Sequence, residues 1–382
     1  MRRLTVRPRP DWRRIAEEHG FTWHTMYDRP YWDETGCFVF SLEEIEREIE
    51  APTAELHAMC LDFVDFAVRR EDVLRLLRIP EPFWSYVAES WRRRDPTLYG
   101  RFDLAYTGQG PAKLLEYNAD TPTSIYESAY FQWLWLEAAR DGGIVGRSAD
   151  QFNMLQESLI AVFGALPKQS LLHLACAGES DEDVGTITYL ADCAVQAGHR
   201  VELLPIERLG VDPTGRFTDL QDRTIDLCFK LYPWEWLFAE TFGVHLARCG
   251  AVFLEPPWKA VLSTKALLPL LWQRHAGHPN LLPAYFADDD QPHPRDFVRK
   301  PILSREGSNV TLVRAGRIAA AGGPYGEEGF VIQEAAPLYR SRHGHAVLGS
   351  WIVGDTAAGL GIREDSSPIT RNLSRFLPHV IE

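Results

Sequence analysis

The stretch Leu98-Tyr-Gly-Arg-Phe-Asp-Leu-Ala-Tyr-Thr-Gly-Gln-Gly-Pro-Ala-Lys-Leu-Leu-Glu-Tyr-Asn-Ala-Asp-Thr-Pro-Thr123 reads as a β-hairpin. Apolar residues flank a Thr107-Gly108-Gln109-Gly110-Pro111 turn, and the second strand is expected over Lys113 to Asn118. Side chains alternate along a strand, so Arg101 and Asp103 share one face of the first strand, and Glu116 and Asn118 share one face of the second. Where the two faces coincide, two carboxylates, an amide oxygen and a guanidinium form one patch. Such a patch suits a hard divalent cation that keeps several waters and leans on phosphate oxygens, with the arginine placed for a phosphoryl group in transfer. On an exposed hairpin the same residues would make only a surface ion pair, which is worth little.

The segments around the hairpin decide between these readings. Residues 1 to about 50 are rich in Pro and Trp and enter a helix at Ser41-Leu-Glu-Glu44, and apolar residues recur at helical spacing from Ala51 to about Arg93. After the hairpin, Thr123 or Ser124 caps a helix expected through Ala139, and a helix start there offers free N–H groups to an anion. From about 150 to 255 the pattern alternates. Helices are expected over Gln151–Leu166, Asp183–Ala197 and Glu235–Arg248, and strands over 171–176, 200–205, 225–231 and 251–254, which predicts an α/β layer with a mostly parallel sheet. Loops after such strands form the ligand edge, and two of them carry acids, Gly178-Glu-Ser-Asp-Glu-Asp183 and Pro233-Trp-Glu235. For the first, the plainer reading is a helix start whose acids suit the dipole. A capped apolar helix follows at Ser263–Leu271, and from Phe297 the chain turns to β, with a closing block that reads as a small antiparallel lid. Three regions are expected: 1–150 as helical scaffold plus the hairpin with its candidate metal patch, 151–260 as the α/β layer with its ligand edge, and 261–382 as the lysine-bearing segment, lid and closing strands.

Composition narrows the function classes. A net charge of −13 over 382 residues argues against broad nucleic-acid or anionic-membrane binding, which needs a basic footprint. The six cysteines are scattered without a C-x-x-C pair, so neither a zinc site nor a disulfide framework is indicated, and with no apolar run of membrane-spanning length the expected location is the cytoplasm. Lysine is scarce, six against 34 arginines, and four of the six (Lys230, Lys259, Lys265 and Lys300) fall within 230–300. In a chain that otherwise uses Arg, a retained Lys points to a place where a compact point charge is needed. Lys300 precedes a small-residue loop, Ser304 to Asn309, whose backbone N–H groups suit phosphates. The scattered histidines, His173 and His199 among them, form no dyad and read as structural.

Taken together, Arg101-Phe-Asp103, Leu115-Glu-Tyr-Asn118-Ala-Asp-Thr121, Trp234-Glu235, Glu255-Pro-Pro-Trp258, Ser263-Thr-Lys265-Ala-Leu-Leu-Pro-Leu-Leu-Trp272 and Lys300-Pro-Ile-Leu-Ser-Arg305-Glu-Gly-Ser-Asn309 resemble the synthetase domain of glutathionylspermidine synthase, in particular its shorter stand-alone bacterial acid–amine ligases. The resemblance implies an α/β, ATP-grasp-like fold in permuted order, the metal hairpin preceding the ATP lysines. It further implies that Asp103, Glu116 and Asn118 hold Mg²⁺ and that Arg101 stabilises the transferring phosphoryl group. Lys265, Lys300, Gly307 and Ser308 would meet ATP phosphates, Gln333 and Glu334 adenine and ribose, and Arg371 falls near a further ATP lysine of the family. Thr121, Thr123, Glu182, Asp183 and Arg363 match residues that contact the acid and amine substrates. Departures are Leu231 for a Thr, Asp183 for a Glu, and Glu306 for a small uncharged residue. The implied activity is an ATP- and Mg²⁺-dependent ligase joining a peptide-like, glutathione-like acid to an amine such as a polyamine. A phosphotransferase and a catalytically silent nucleotide-binding scaffold are the alternatives, and small molecules rather than nucleic acid or membrane are the expected partners.

Overall fold

The computed structural model describes residues 1–290, 292–371 and 374–382. In chain order the elements that build the site are strands β1 (Arg2–Thr5) and β2 (Gly36–Phe40), helices α1 (Ala51–Ala67) and α2 (Trp84–Arg93), and hairpin strands β3 (Tyr99–Ala105) and β4 (Lys113–Asn118). A wide turn at Glu127–Phe131 leads into α3 (Gln132–Asp141), followed by α4 (Leu155–Ala165), β5 (Leu172–Cys176), α5 (Asp181–Gln196), β6 (Val201–Pro205), β7 (Leu227–Leu231), α6 (Trp234–Ala239), β8 (Val252–Leu254) and α7 (Leu267–Arg274). The remaining strands are β9 (Ala284–Phe286), β10 (Phe297–Pro301), β11 (Thr311–Arg314), β12 (Arg317–Ala320), β13 (Phe330–Glu334), β14 (Tyr339–Ser341), β15 (Gly344–Val353), β16 (Thr356–Asp365), β17 (Arg375–Leu377) and β18 (His379–Ile381).

Three sheets surround the site. The α/β layer is the expected parallel sheet, in the order β8-β7-β5-β6, with α5 crossing from β5 to β6. The closing strands divide between two sheets. One is a five-stranded antiparallel sheet, β9-β13-β10-β11-β12. In the other, β15 and β16 join β17 and the hairpin in the order β17-β16-β15-β3-β4, with β14 beside β15. The hairpin's first strand therefore gains a partner some 250 residues later and is buried along its whole length. A small sheet, β1-β2-β18, ties the chain ends together.

Three helices differ from expectation, each for a local reason; the one expected from Gln151 begins at Leu155, because the Phe152 and Met154 N–H groups donate to His379 Nε2 and Ala358 O instead. The helix expected over Glu235–Arg248 stops at Ala239 and resumes as a tight turn at Thr241–His245, where Gly243 lies against the Leu237 and Phe238 carbonyls; a Cβ there would sit 2.7 Å from the Leu237 oxygen. The helix expected from Ser263 begins only at Leu267, because the Lys265 N–H donates to Ile302 O at 2.9 Å instead of joining a helical ladder. All six cysteines are buried free thiols. His173 pairs with Asp219 and His199 with the Phe163 carbonyl, both structural contacts. Among the described residues no helix is long and apolar enough to cross a membrane.

Candidate active site

Register brings the hairpin patch together. Arg101 pairs opposite Asn118 and Asp103 opposite Glu116, so all four side chains share a face. On the other side of β3, Trp351 lies opposite Arg101 and Gly349 opposite Asp103. A Cβ at Gly349 would fall 2.7 Å from the Arg101 Cδ, so the glycine leaves the space that the arginine stem fills, and the guanidinium rests 5.5 Å from the Trp351 ring. Arg101 donates from Nε to Asp103 Oδ1 at 2.6 Å, from Nη2 to Oδ2 at 3.2 Å, and from Nη1 to Thr123 O at 2.7 Å. Arg363 on β16 reaches the same carboxylate at 2.9 Å. Burial opposes the Arg101 charge, but the Asp103 carboxylate outweighs it and holds the guanidinium pKa above its ordinary value.

Two lysines face this patch. Lys300, on β10, donates to Leu115 O and Gln333 Oε1, both at 2.8 Å. Its burial, reinforced by the neighbouring Lys265 charge, lowers the ammonium pKa to about 8. Lys265 lies 3.2 Å from Glu116 and donates to Ser304 O at 2.8 Å. Burial pushes the Glu116 carboxyl up, yet Lys265 and then Lys300 more than offset this and hold it at about 2. A cationic wall thus already leans on the Glu116 carboxylate and holds it ionised.

The opposite end is acidic. Ser180 caps α5, its hydroxyl accepting from the Asp183 N–H at 3.2 Å, and the first turn presents Asp181, Glu182 and Asp183. Burial, with Glu182 next, raises the Asp183 carboxyl to about 7, and burial likewise raises Glu182. Behind them stands Glu127, with no exposed surface. One oxygen accepts from Trp23 Nε1 at 2.7 Å and the other has no hydrogen-bond partner among the described residues; burial and then Glu182 raise its carboxyl to about 7. Gly185 on α5 is packed so closely on the Trp23 ring that any Cβ would collide with it.

A loop links the two ends. Glu306, Gly307 and Asn309 all have positive φ, and a Cβ on Gly307 would lie 2.5 Å from Thr370 O, so the backbone passes where no side chain fits. Arg305 donates to Thr121 Oγ1 at 2.7 Å and to Glu235 Oε1 at 2.6 Å. Below, Asp120 accepts from the fully buried Lys230 and from Trp234 N at 2.8 Å, which fixes the turn carrying Thr121 and Thr123.

Most of these groups line one cavity of about 1080 Å³, with Glu127, Lys230 and Asn309 off its lining. Arg101, Asp103, Glu116, Asn118, Thr121, Thr123, Glu182, Asp183, Lys265, Lys300, Gly307 and Arg363 all lie on it. Ser308 does not line it, and Gln333 reaches it only through Lys300. Glu334 is exposed on β13, and Arg371 turns to Asp365 at 3.0 Å. Arg305, Asp120 and Glu127 were not singled out from the sequence. Glu127 had a signal, but Ser124-x-x-Glu127 has the spacing of a capping box and reads as helix start. Among the described residues no group of three or more His, Cys, Asp and Glu could hold a metal. Asp103, Glu116 and Asn118 place two carboxylates and one amide oxygen on one face, the donor types a hard cation takes, while Arg101 and Arg363 occupy both Asp103 oxygens.

Comparison with known proteins agrees with this architecture. Residues 3–382 match the family model described as glutathionylspermidine synthase preATP-grasp. A Haemophilus influenzae protein carrying an acid–amine ligase name is 41% identical over 396 residues, covering 99% of each chain. The trypanothione synthetase of Crithidia fasciculata is 28% identical over 83% of this chain and 52% of its own length. The bifunctional glutathionylspermidine synthetase/amidase of Escherichia coli is 25% identical over 89% and 58%. The chain thus spans little more than half the length of these two relatives. A solved glutathione synthetase-like effector from Globodera pallida, in apo form, superposes with a TM-score of 0.55 at 13% identity over 90% of this chain and 88% of that one, a likeness of fold. With nearly its whole length matched, the chain belongs to the glutathionylspermidine synthase preATP-grasp family.

Proposed function

We propose that the protein is an ATP- and Mg²⁺-dependent acid–amine ligase that activates a peptide-like carboxylic acid as an acyl phosphate and transfers the acyl group to an amine, a polyamine-like cation being the amine that suits its acidic end. That it is a carbon–nitrogen ligase follows from its family. The finer reading is carried by one observation, the separation of charge in the cavity: Lys265 and Lys300 beside Glu116, Glu182 and Asp183 at the start of α5, and Arg101 on the strand between them.

A carboxylate is a poor acyl donor because its oxygen is a poor leaving group. Transfer of the ATP γ-phosphoryl group to a carboxylate oxygen breaks the bond to ADP and makes phosphate the leaving group. The amine nitrogen then attacks the carbonyl carbon, the carbon–oxygen bond breaks toward phosphate, and the nitrogen loses a proton as the amide forms. In this scheme Lys265, Lys300 and Gly307 hold phosphates, whereas Ser308, Gln333 and Glu334, which lie off the cavity lining, have no direct part. Arg101 opposes charge developing on the moving phosphoryl group, a role worth about 3 kcal/mol in comparable electrostatic sites. Mg²⁺ held by Asp103, Glu116 and Asn118 would neutralise charge on the phosphate oxygens. Thr121, Thr123 and Arg363 would orient the acid, and Glu182 and Asp183 would receive the cationic amine. The five-stranded sheet would exclude water that hydrolyses the intermediate. Arg371, paired with Asp365, has no assigned part in this scheme.

The test is release of ADP and phosphate by the purified protein with Mg²⁺-ATP against a matrix of small peptides and polyamines, with mass detection of new amides. Turnover is expected only when an acid and an amine are both present. A stable phosphorylated acid formed without amine would establish a phosphotransferase instead, and ATP binding without turnover on any pair would favour the silent scaffold.

A further inference from the structure

At the mouth of the cavity, away from Asp103 and Lys300, the lining is basic. Arg314 and Arg317 pair opposite each other at the β11–β12 turn, and Arg340 on β14 and His345 on β15 line the cavity from the six-stranded sheet. Strand register sets their depth. Arg314 follows Val313, which pairs with Phe297, so it is level with a point four residues from Lys300; His345 is four residues from Gly349, the partner of Asp103. At roughly 3.3 Å per residue, Arg314 stands about 13 Å along its sheet from Lys300, and His345 about 13 Å along its own from Asp103, within the reach of an extended nucleoside triphosphate.

None of the three arginines makes an ion pair among the described residues. The Asp296 carboxylate at this turn accepts instead from the Ala315 N–H at 2.9 Å. His345 has a buried Nδ1 without a partner. Burial, followed by the fields of Arg340 and Arg314, holds its pKa below the ordinary histidine value, so arginines from both sheets act on one imidazole. In a chain of net charge −13, a converging set of unpaired cations is repulsive until an anion crosses it, and such a set raises the local concentration of anions at a cleft.

We infer that Arg314, Arg317 and Arg340, with His345, form a capture rim that draws a polyphosphate-bearing ligand from solution and passes it inward to Lys300 and Lys265. The ligand class is a nucleoside triphosphate, and in this the inference rests on the proposed function; what the rim itself recognises is the polyphosphate.

The experiment is stopped-flow association of a fluorescent ATP analogue with the full chain across a range of ionic strength, comparing the unaltered protein with Arg314→Gln/Arg317→Gln and with Arg340→Gln, each checked for an unchanged unfolding temperature. Titration with inorganic tripolyphosphate runs alongside. At low salt the association rate is expected to fall roughly three- to tenfold in the variants, with a flatter salt dependence, convergence at high salt and an unchanged dissociation rate. If the nucleotide associates equally fast with every variant, the rim is refuted and the nucleotide reading survives. If tripolyphosphate binds in a variant-sensitive way and the nucleotide does not bind, the rim survives and the proposed function fails. If neither binds the unaltered protein, both are refuted.

Discussion

Lys230→Met should destabilise the protein severely, and Asp120→Asn in the same chain should restore most of the loss. Both side chains are buried, and the Lys230 ammonium lies 4.5 Å over the Trp234 ring while bonding to Asp120 Oδ1. Burial raises the Asp120 carboxyl and lowers the Lys230 ammonium, so each ion depends on the other to remain charged. Removing the lysine leaves a buried carboxylate with one remaining donor, Trp234 N at 2.8 Å, and a neighbouring acid, Glu235. Breaking a buried pair in this way costs about 3–5 kcal/mol, and Met fills most of the lysine volume, so the cavity contribution is small. Asparagine at 120 removes the orphaned charge and keeps an oxygen for the Trp234 N–H, leaving a residual cost of about 1 kcal/mol. The double-mutant cycle should therefore show a coupling of about 2 kcal/mol or more by urea unfolding. Because Asp120 anchors the turn that presents Thr121 and Thr123, the single variant should also bind the acid substrate more weakly, and the double variant should recover. Strictly additive stabilities would refute the reasoning.

Arg101→Gln should lower kcat by roughly 100-fold or more while nucleotide affinity changes little, since the guanidinium is assigned to charge that develops in transfer; an effect confined to KM would mark a ground-state binding residue. Glu127 holds its proton to about pH 7 when folded, whereas an ordinary glutamate releases it near 4.5. The folded state therefore binds more protons between those values, and stability should fall as pH rises through that window. Glu127→Gln should flatten this decline in a series of unfolding temperatures, and an unchanged slope would locate the titration elsewhere. Gly307→Ala combines a φ of +68° with a Cβ 2.5 Å from Thr370 O and should displace the loop, weakening ATP binding at least several-fold in equilibrium titration; wild-type affinity would show that the loop does not cover phosphates.

The hairpin was legible because everything that defines it is local: two-residue alternation, a turn with glycines at positive φ, and four polar residues at matched offsets. Its setting was not. Nothing near Arg101 announces that Gly349 and Trp351 will flank it, because that pairing is a long-range register between distant strands. The scarcity of lysine pointed to residues 230–300, and all four lysines there are indeed largely buried. Two of them, however, are struts. Lys230 neutralises Asp120, and Lys259 meets Glu255 at 2.7 Å, where that carboxylate also gathers the Leu98 and Tyr99 N–H groups at the start of β3. A compact point charge serves a buried carboxylate as well as a phosphate, so composition alone could not separate these uses. Arg371 illustrates the converse: a basic residue at a suggestive position that spends its charge on Asp365.

The division of the cavity's charges among the three sheets constrains the proposed chemistry. Lys300 belongs to the five-stranded sheet, and Lys265 is tied to the same unit through Ile302 and Ser304. Glu182 and Asp183 sit at the start of α5, on the parallel sheet. Arg101, Asp103 and Arg363 lie on the six-stranded sheet. Under the proposed function the groups assigned to phosphate and to amine are therefore carried by different sheets, and the reacting atoms would meet over the floor formed by the third. Arg305 links all three units, since it rises from the loop after β10 and contacts Thr121 after β4 and Glu235 after β7. An anion entering near Gly307 competes for that guanidinium, so the loop that would hold phosphate is coupled to the turn that would hold the acid. Under the proposed function, nucleotide would free Thr121 from Arg305 before the acid claims it, and the acid should therefore bind more tightly in calorimetric titration when nucleotide is present; equal affinity with and without nucleotide would refute the coupling.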